Sequence, residues 1–201
     1  MERSREYRKL GWNSLRLNYW ILLVIVIIFS VLSSFASTVP FLPLILLGVF
    51  SVALQKCFIK NSNKQEVEIE DYFRGMFDNA GDKIVLGLMV TIFQILWTLL
   101  FIIPGVIKGY AYAMSYYIQY RCNLPARDSI DLSQKMMSGK KWKLFCLHFS
   151  FIGWLILAAF TFGIGIIFLA PYFYAAQTEF FKDAFEEYNR ENPSSVGSIT
   201  E

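Results

Sequence analysis

Charge is what this chain has little of. Only 17% of its 201 residues are Asp, Glu, Lys or Arg, against about a quarter in an ordinary soluble domain. The shortage is local: Tyr19–Gln55, Ile84–Lys108 and Phe149–Gln177 hold almost no charge. Crossing a bilayer core takes roughly 20 apolar residues per helix, and a soluble core helix keeps a polar stripe. These stretches are long and apolar all round, which excludes an ordinary water-soluble domain. Period-two alternation, the mark of a membrane β-barrel, is missing from segments such as Trp20–Phe29 (WILLVIVIIF). Cysteine is scarce as well. Cys57, Cys122 and Cys146 are odd in number and lack metal-ligand spacing, so free thiols are expected and a disulfide framework is excluded. There is one histidine, His148. Nucleotide-binding loops, a Ser/His/Asp set, paired carboxylates within an apolar stretch and zinc-ligand spacing are all absent, so no enzyme activity, cofactor or metal is expected.

What is present is a sequence of apolar helices, predicted at about Tyr19–Phe35, Phe41–Ile59, Ile84–Ile103, Val106–Tyr120, Leu144–Phe162 and Ile164–Phe181. Pro and Gly break helices and permit tight reversals. They mark short turns at Ala36–Pro43, Pro104-Gly105 and Thr161–Gly165. The expected fold is therefore an all-α transmembrane bundle of about six spans, built as three hairpins (19–59, 84–120 and 144–181) in one domain, 1–185. A polar tail, 186–201, begins helically and is expected to fray beyond Asn192.

The basic residues support hairpins over a rival in which Pro104-Gly105 and Gly163–Gly165 merely kink two long helices. Arg and Lys number five in Met1–Asn18, four in Lys60–Lys83, six in Arg121–Lys143 and two in Lys182–Glu201, and none lies in the three turns. Six spans place every basic segment on one side, as the positive-inside rule requires, with both termini cytoplasmic. A single rod over Ile84–Tyr120 would measure about 55 Å, against an apolar core of about 30 Å. The leader before the first apolar run is long and patterned, which argues against a cleaved signal peptide despite the small residues near Ala36.

Each hairpin follows a short amphipathic segment suited to the headgroup plane. The first is Arg3–Leu17, with Tyr7, Leu10, Ser14 and Leu17 at helical spacing. The second is Glu70–Asp78, with Tyr72, Phe73, Met76 and Phe77 on one face. The third is Asp128–Met137, with Asp128 as the expected cap. Trp97 and Trp154 precede the second and third turns, and aromatic clusters follow them (Tyr110, Tyr112, Tyr116; Tyr172, Phe173, Tyr174). The chain thus reads as three copies of one unit, able to close into a pseudo-threefold bundle.

Few residues offer chemistry. Lys108, a turn beyond Pro104-Gly105, is either an anion or headgroup contact, a counter-ion within the bundle, or a stem snorkelling to the outer interface. Gly105, Gly109 and Ala113 form a small-residue face that permits close helix approach. His148 is expected to hydrogen-bond near the interface rather than bind metal. Gln55, Gln94, Gln119 and Gln177 either bond between helices or line a pathway. Lys140, Lys141, Trp142 and Lys143 stand beside a membrane entry and would attract anionic lipid at about 1 kcal/mol per basic residue. The acidic run Glu66–Asp71 would pair with those lysines or stay solvated. The net charge of +3 follows from the basic flanks and implies no nucleic-acid partner.

The runs Leu96–Lys108 (LWTLLFIIPGVIK), Met136–Trp142 (MMSGKKW), Leu144–Trp154 (LFCLHFSFIGW) and Thr161–Gly165, the last followed by Ala170-Pro171-Tyr172, resemble the integral-membrane family known as domain of unknown function 975. The likeness extends from Met1 to about Phe185. It implies a bacterial plasma-membrane protein and carries no established activity or catalytic residues. The expected role is a non-enzymatic envelope protein that scaffolds, senses or protects by binding a membrane protein, a peptide or itself within the lipid bilayer. A small transporter or channel component, with a pathway between broken hairpins, is the alternative.

Overall fold

A computed structural model describes residues 4–16, 18–36, 38, 42–100, 102–160 and 164–192. Among them all regular structure is helical. The helices are α1 (Ser4–Leu15), α2 (Tyr19–Ala36), α3 (Leu42–Ser62), α4 (Ile69–Phe77), α5 (Ala80–Leu100), α6 (Ile102–Tyr112), α7 (Ser115–Cys122), α8 (Ala126–Met136), α9 (Lys141–Phe149), α10 (Ile152–Ala159) and α11 (Ile164–Glu191). The first and third expected turns fall largely, and the frayed tail beyond Asn192 wholly, outside the described residues. Residues 186–191 continue α11.

The count of spans is corrected. Among the described residues two stretches, Ala80–Leu100 and Lys141–Ala158, are long and apolar enough to cross a membrane, or three if the bent pair α1–α2 is taken as one span. Six were expected. The return leg of the middle hairpin is divided at Ala113-Met114 into α6 and α7. The long α11 carries Pro171 and a charged second half, and α3 ends on Gln55, Lys56 and Lys60.

The middle hairpin nevertheless reverses. Going up α5 and down α6–α7, Gln119 Nε2 donates to the Asp82 carbonyl at 2.9 Å, and Phe93 meets Tyr112 with centroids 6.2 Å apart. Nearer the turn, Gln94 Nε2 donates to the Gly105 carbonyl at 2.9 Å. One index falls as the other rises, which is the register of an antiparallel pair, and a continuous rod over Ile84–Tyr120 is ruled out. Pro104 is not in the turn but in the first turn of α6, where its missing N–H has no intrahelical partner to lose.

The three-copy pattern is visible in the packing. Each amphipathic helix docks on the second leg of the preceding hairpin: α4 on α3, α8 on α7, and α1 on α11. Each second leg meets the first leg of the next hairpin: α3 with α5, α6 with α9, and α11 with α2. The ring closes cyclically. The second legs share a centre in which Ile59, Met114, Ile118, Ala176, Phe180 and Phe181 are buried together, so this centre is filled by side chains.

Docking rotates α1 and α4 away from the expected faces, whereas α8 buries its apolar residues Ile130, Leu132 and Met136 as its periodicity implies. In α1 the buried residues are Tyr7, Gly11, Ser14 and Leu15, while Leu10 is exposed. Gly11 sits so close to α11 that a Cβ there would meet the Ala176 backbone nitrogen at 2.6 Å. In α4 Tyr72 and Gly75 are buried, with Phe73 and Phe77 outward. In α8 the N-cap position is Pro125, without a side-chain cap bond, and Asp128 lies inside the first turn, where its charge favours the helix dipole.

Several polar ties between the units lie at one end. Asn18 Nδ2 donates to Asn61 Oδ1 at 3.2 Å, and Tyr7 Oη to Asp183 at 2.6 Å. Asn79 Nδ2 donates to Asn123 Oδ1 at 3.3 Å, and Lys140 pairs with Glu187 at 3.1 Å. These contacts bring all four basic segments together. Within the acidic run Asp71 takes Lys60 at 2.6 Å, and Lys140 of Met136–Lys143 takes Glu187 instead. Burial alone would raise the Asp71 carboxyl, but the Lys60 ammonium and the Glu68 N–H hold it below its ordinary value. A lowered folded-state pKa adds stability above the unfolded value that is lost as pH falls through the folded one. Asp71→Asn is thus expected to melt below the wild type at pH 7, by about 1 kcal/mol or less for a partly exposed pair. The gap should close as pH drops below about 4, which melting curves in detergent across pH will read.

Candidate functional site

The residue with the most unusual surroundings is Lys108. It is half-buried on α6, and its side chain leans onto α8. Its Nζ donates to Gln134 Oε1 at 3.2 Å and lies 5.0 Å from the centroid of the Trp97 ring on α5, a cation–π distance. Among the described residues no carboxylate comes within ion-pair distance of this ammonium. Nearby, the Ser133 hydroxyl donates to the Ala111 carbonyl at 2.7 Å and fixes α8 against α6.

These contacts leave a crevice of about 590 Å³ between α5, α6 and α8, within the 300–1,000 Å³ range of ligand sites. One wall is apolar, with Met89, Phe93 and Leu96 on α5. The other presents Arg127, Asp131 and Gln134 from α8, spaced i, i+4 and i+7 and so on one helix face. Lys108, Trp97 and Tyr112 complete it. The sequence singled out Lys108 but missed its partners on α8. The 127/131/134 spacing was readable; that this face turns toward Lys108 was not, because it depends on how α8 docks.

The other sequence candidates lie elsewhere. A Cβ at Gly105 would meet the Thr98 backbone at 2.8 Å, and one at Gly109 would meet Gln94 Oε1 at 3.0 Å. The small-residue face of α6, with Pro104 at its start, therefore packs on α5 within its own hairpin. Gln94 spends its amide on the turn, bonding Thr98 at 3.1 Å as well as Gly105. Gln177 is half-buried on α11 and does not line the crevice. His148 lies between Tyr110 and Phe173, with Nδ1 3.3 Å from the Tyr110 hydroxyl and centroids 4.9 Å from Phe173. Among the described residues no three His, Cys, Asp or Glu side chains gather to hold a metal. Lys140 is tied to Glu187 and to the Ala184 carbonyl at 3.3 Å, and burial of the Glu187 carboxyl is outweighed by this lysine, which holds its pKa down. Of the four lipid-contact candidates, Trp142 and Lys143 are exposed and Lys141 is half-exposed, with Trp142 stacked on Phe145 at 5.1 Å.

The third unit supplies a built-in comparison. The corresponding groove between α1, α10 and α11 is lined by Trp12, Trp154, Gly165, Phe168 and Tyr172 and holds about 500 Å³. Gly105, Lys108 and Tyr112 correspond to Gly165, Phe168 and Tyr172, each 60 positions on. The fold therefore accepts an apolar residue where α6 carries Lys108.

No curated protein and no solved structure matches the chain. Residues 98–187, which run from the end of α5 through the α6 and α8 walls of the crevice to α11, match the family described as Protein of unknown function (DUF975).

Proposed function

We propose that the protein is a multi-pass plasma-membrane bundle, both termini cytoplasmic, that works by binding a membrane component rather than by catalysis. The observation that carries this reading is the outer surface. Large apolar side chains on α2, α5, α6, α10 and α11 point outward, among them Leu99 at 83% exposure and Ile103 at 75%, and Phe160, just past α10, is 80% exposed. A soluble monomer rarely exposes apolar patches beyond a few hundred Å², and lipid is the solvent such a surface suits. The clustering of basic segments at one end supports the same orientation for all three hairpins.

The filled centre between the second legs favours binding over a conduit through the bundle. The crevices open at the periphery, where a lipid or a membrane-embedded partner arrives laterally. In this reading Trp12, Trp20 and Trp142, all exposed, serve as interfacial anchors near the basic end. Binding suits a scaffold, a sensor or a protective protein of the envelope.

Labelling of single cysteines in a background lacking Cys57, Cys122 and Cys146 tests the topology. In intact cells a membrane-impermeant maleimide should reach cysteines placed at Ser37 and Ile103, and should reach those at Lys64 and Ser138 only after lysis. Labelling of Ser138 from outside, or release of the protein by alkaline carbonate, would overturn the reading.

A further inference from the structure

We propose that the α5–α6–α8 crevice is a lateral site for one anionic phospholipid, its phosphodiester held between Lys108 and Arg127 and an acyl chain lying along α5. This rests on the membrane reading above and names the ligand of the site.

The first support is charge. Lys108 and Arg127 contribute two positive charges and Asp131 one negative, a net +1 that matches a headgroup of a single negative charge. Lys60 and Lys140, two other lysines held among packed helices, are each paired with a carboxylate, and the buried Lys83 is taken up by two backbone carbonyls. Lys108 has only a neutral amide and an aromatic face. A cation half-withdrawn from water is costly unless an anion or several dipoles compensate it, and the space beside this one is open.

The second support is shape. Arg127 and Gln134 are about 10 Å apart along α8, so the polar wall runs from the start of that helix, near the basic end, inward to Lys108. Opposite it, Met89, Phe93 and Leu96 form a continuous apolar strip of α5. A headgroup on one wall and a chain on the other fit this division; a free phosphate would leave the apolar wall unused. The third support is the internal comparison. With Phe168 in place of Lys108, the equivalent groove carries no charged residue on its α11 wall, so packing alone does not require the lysine.

Native mass spectrometry of the full-length protein tests this. It is extracted from membranes in mild detergent, after membrane residence is established separately by carbonate resistance, and exchanged into nanodiscs of phosphatidylcholine with graded phosphatidylglycerol. Wild type should retain one phosphatidylglycerol per chain, in preference to phosphatidylcholine by about tenfold, the effect of one charge-assisted contact. Lys108→Gln should abolish that preference, Arg127→Gln should weaken it several-fold, and Lys108→Arg should keep most of it. Lys135→Gln, which removes the same charge from an exposed face of α8, should leave it unchanged. Arg127 is exposed, so its variant folds and reports even if Lys108→Gln does not. Equal retention of both lipids by wild type, unchanged preference in Arg127→Gln, or displacement of the lipid by millimolar inorganic phosphate would overturn the proposal. A protein released by carbonate would instead remove the membrane reading beneath it.

Discussion

Gly48→Val should cost about 3 kcal/mol or more and lower the melting midpoint in detergent by about 10 °C. Gly48 on α3 faces Gly87 on α5 where the first unit meets the second. A Cβ at Gly48 would collide with the Lys83 carbonyl and stand 2.7 Å from the Gly87 Cα; one at Gly87 would stand 2.5 Å from the Gly48 Cα. The obstacles are backbone atoms of two helices, which cannot swing aside as a flexible side chain does. Valine would have to push α5 off α3, and with it Leu86 and Val52, which are buried in the contact between these helices. Gly81, with nothing within 4 Å of its would-be Cβ, is the control: Gly81→Ala should melt at or above wild type, because alanine favours the helix by about 1 kcal/mol. Equal midpoints for Gly48→Val and wild type would mean that the two helices do not touch there.

Lys83→Met should be the second large loss, about 2–3 kcal/mol. The Lys83 side chain is nearly sequestered, at 7% exposure, and its ammonium donates to the Gly75 carbonyl at 2.6 Å and to the Asp78 carbonyl. These are carbonyls at the C-terminal end of α4, which a helix leaves unsatisfied. A cation there answers both the hydrogen bonds and the dipole. Methionine keeps the stem and removes the donor, so the carbonyls stay buried without a partner. The signature is local: hydrogen exchange across 69–77 should accelerate while α9–α11 is little changed. Uniform acceleration of the whole chain would point to a general loss of folding instead.

Much of this architecture was legible in the chain. Apolar runs without alternation gave helices; basic residues concentrated in four segments gave the shared polar end; an amphipathic segment ahead of each hairpin gave the three units. The docking faces were harder to see. In α1 the contact centres on Gly11, a residue with no hydropathy to contribute, so an apolar-periodicity reading rotated the helix toward Leu10. The Pro104 position was misassigned because proline both ends helices and begins them. Lys108 was visible as an anomaly, but Arg127, Asp131 and Gln134 look like the solvated face of any amphipathic helix until α8 packs against α5 and α6. The spans were overcounted because composition does not register the interruption at Ala113-Met114 or the long charged continuation of α11.

The unequal distribution of polar ties has a mechanical consequence. Among the described residues, several hydrogen bonds between different hairpins, such as Asn18–Asn61 and Lys182 with the Ser62 carbonyl at 3.4 Å, lie at the basic end. At the opposite end, Gln94, Thr98 and Gly105 bond only within their own hairpin. The turn of the middle hairpin is thus braced from within, and its link to the third unit comes a turn further on, where Lys108 donates to Gln134. Tilting of the middle hairpin, the adjustment a helix makes to a thinner or thicker bilayer, would therefore carry its braced turn along as one piece and strain the Lys108–Gln134 bond and the Asn79–Asn123 tie instead.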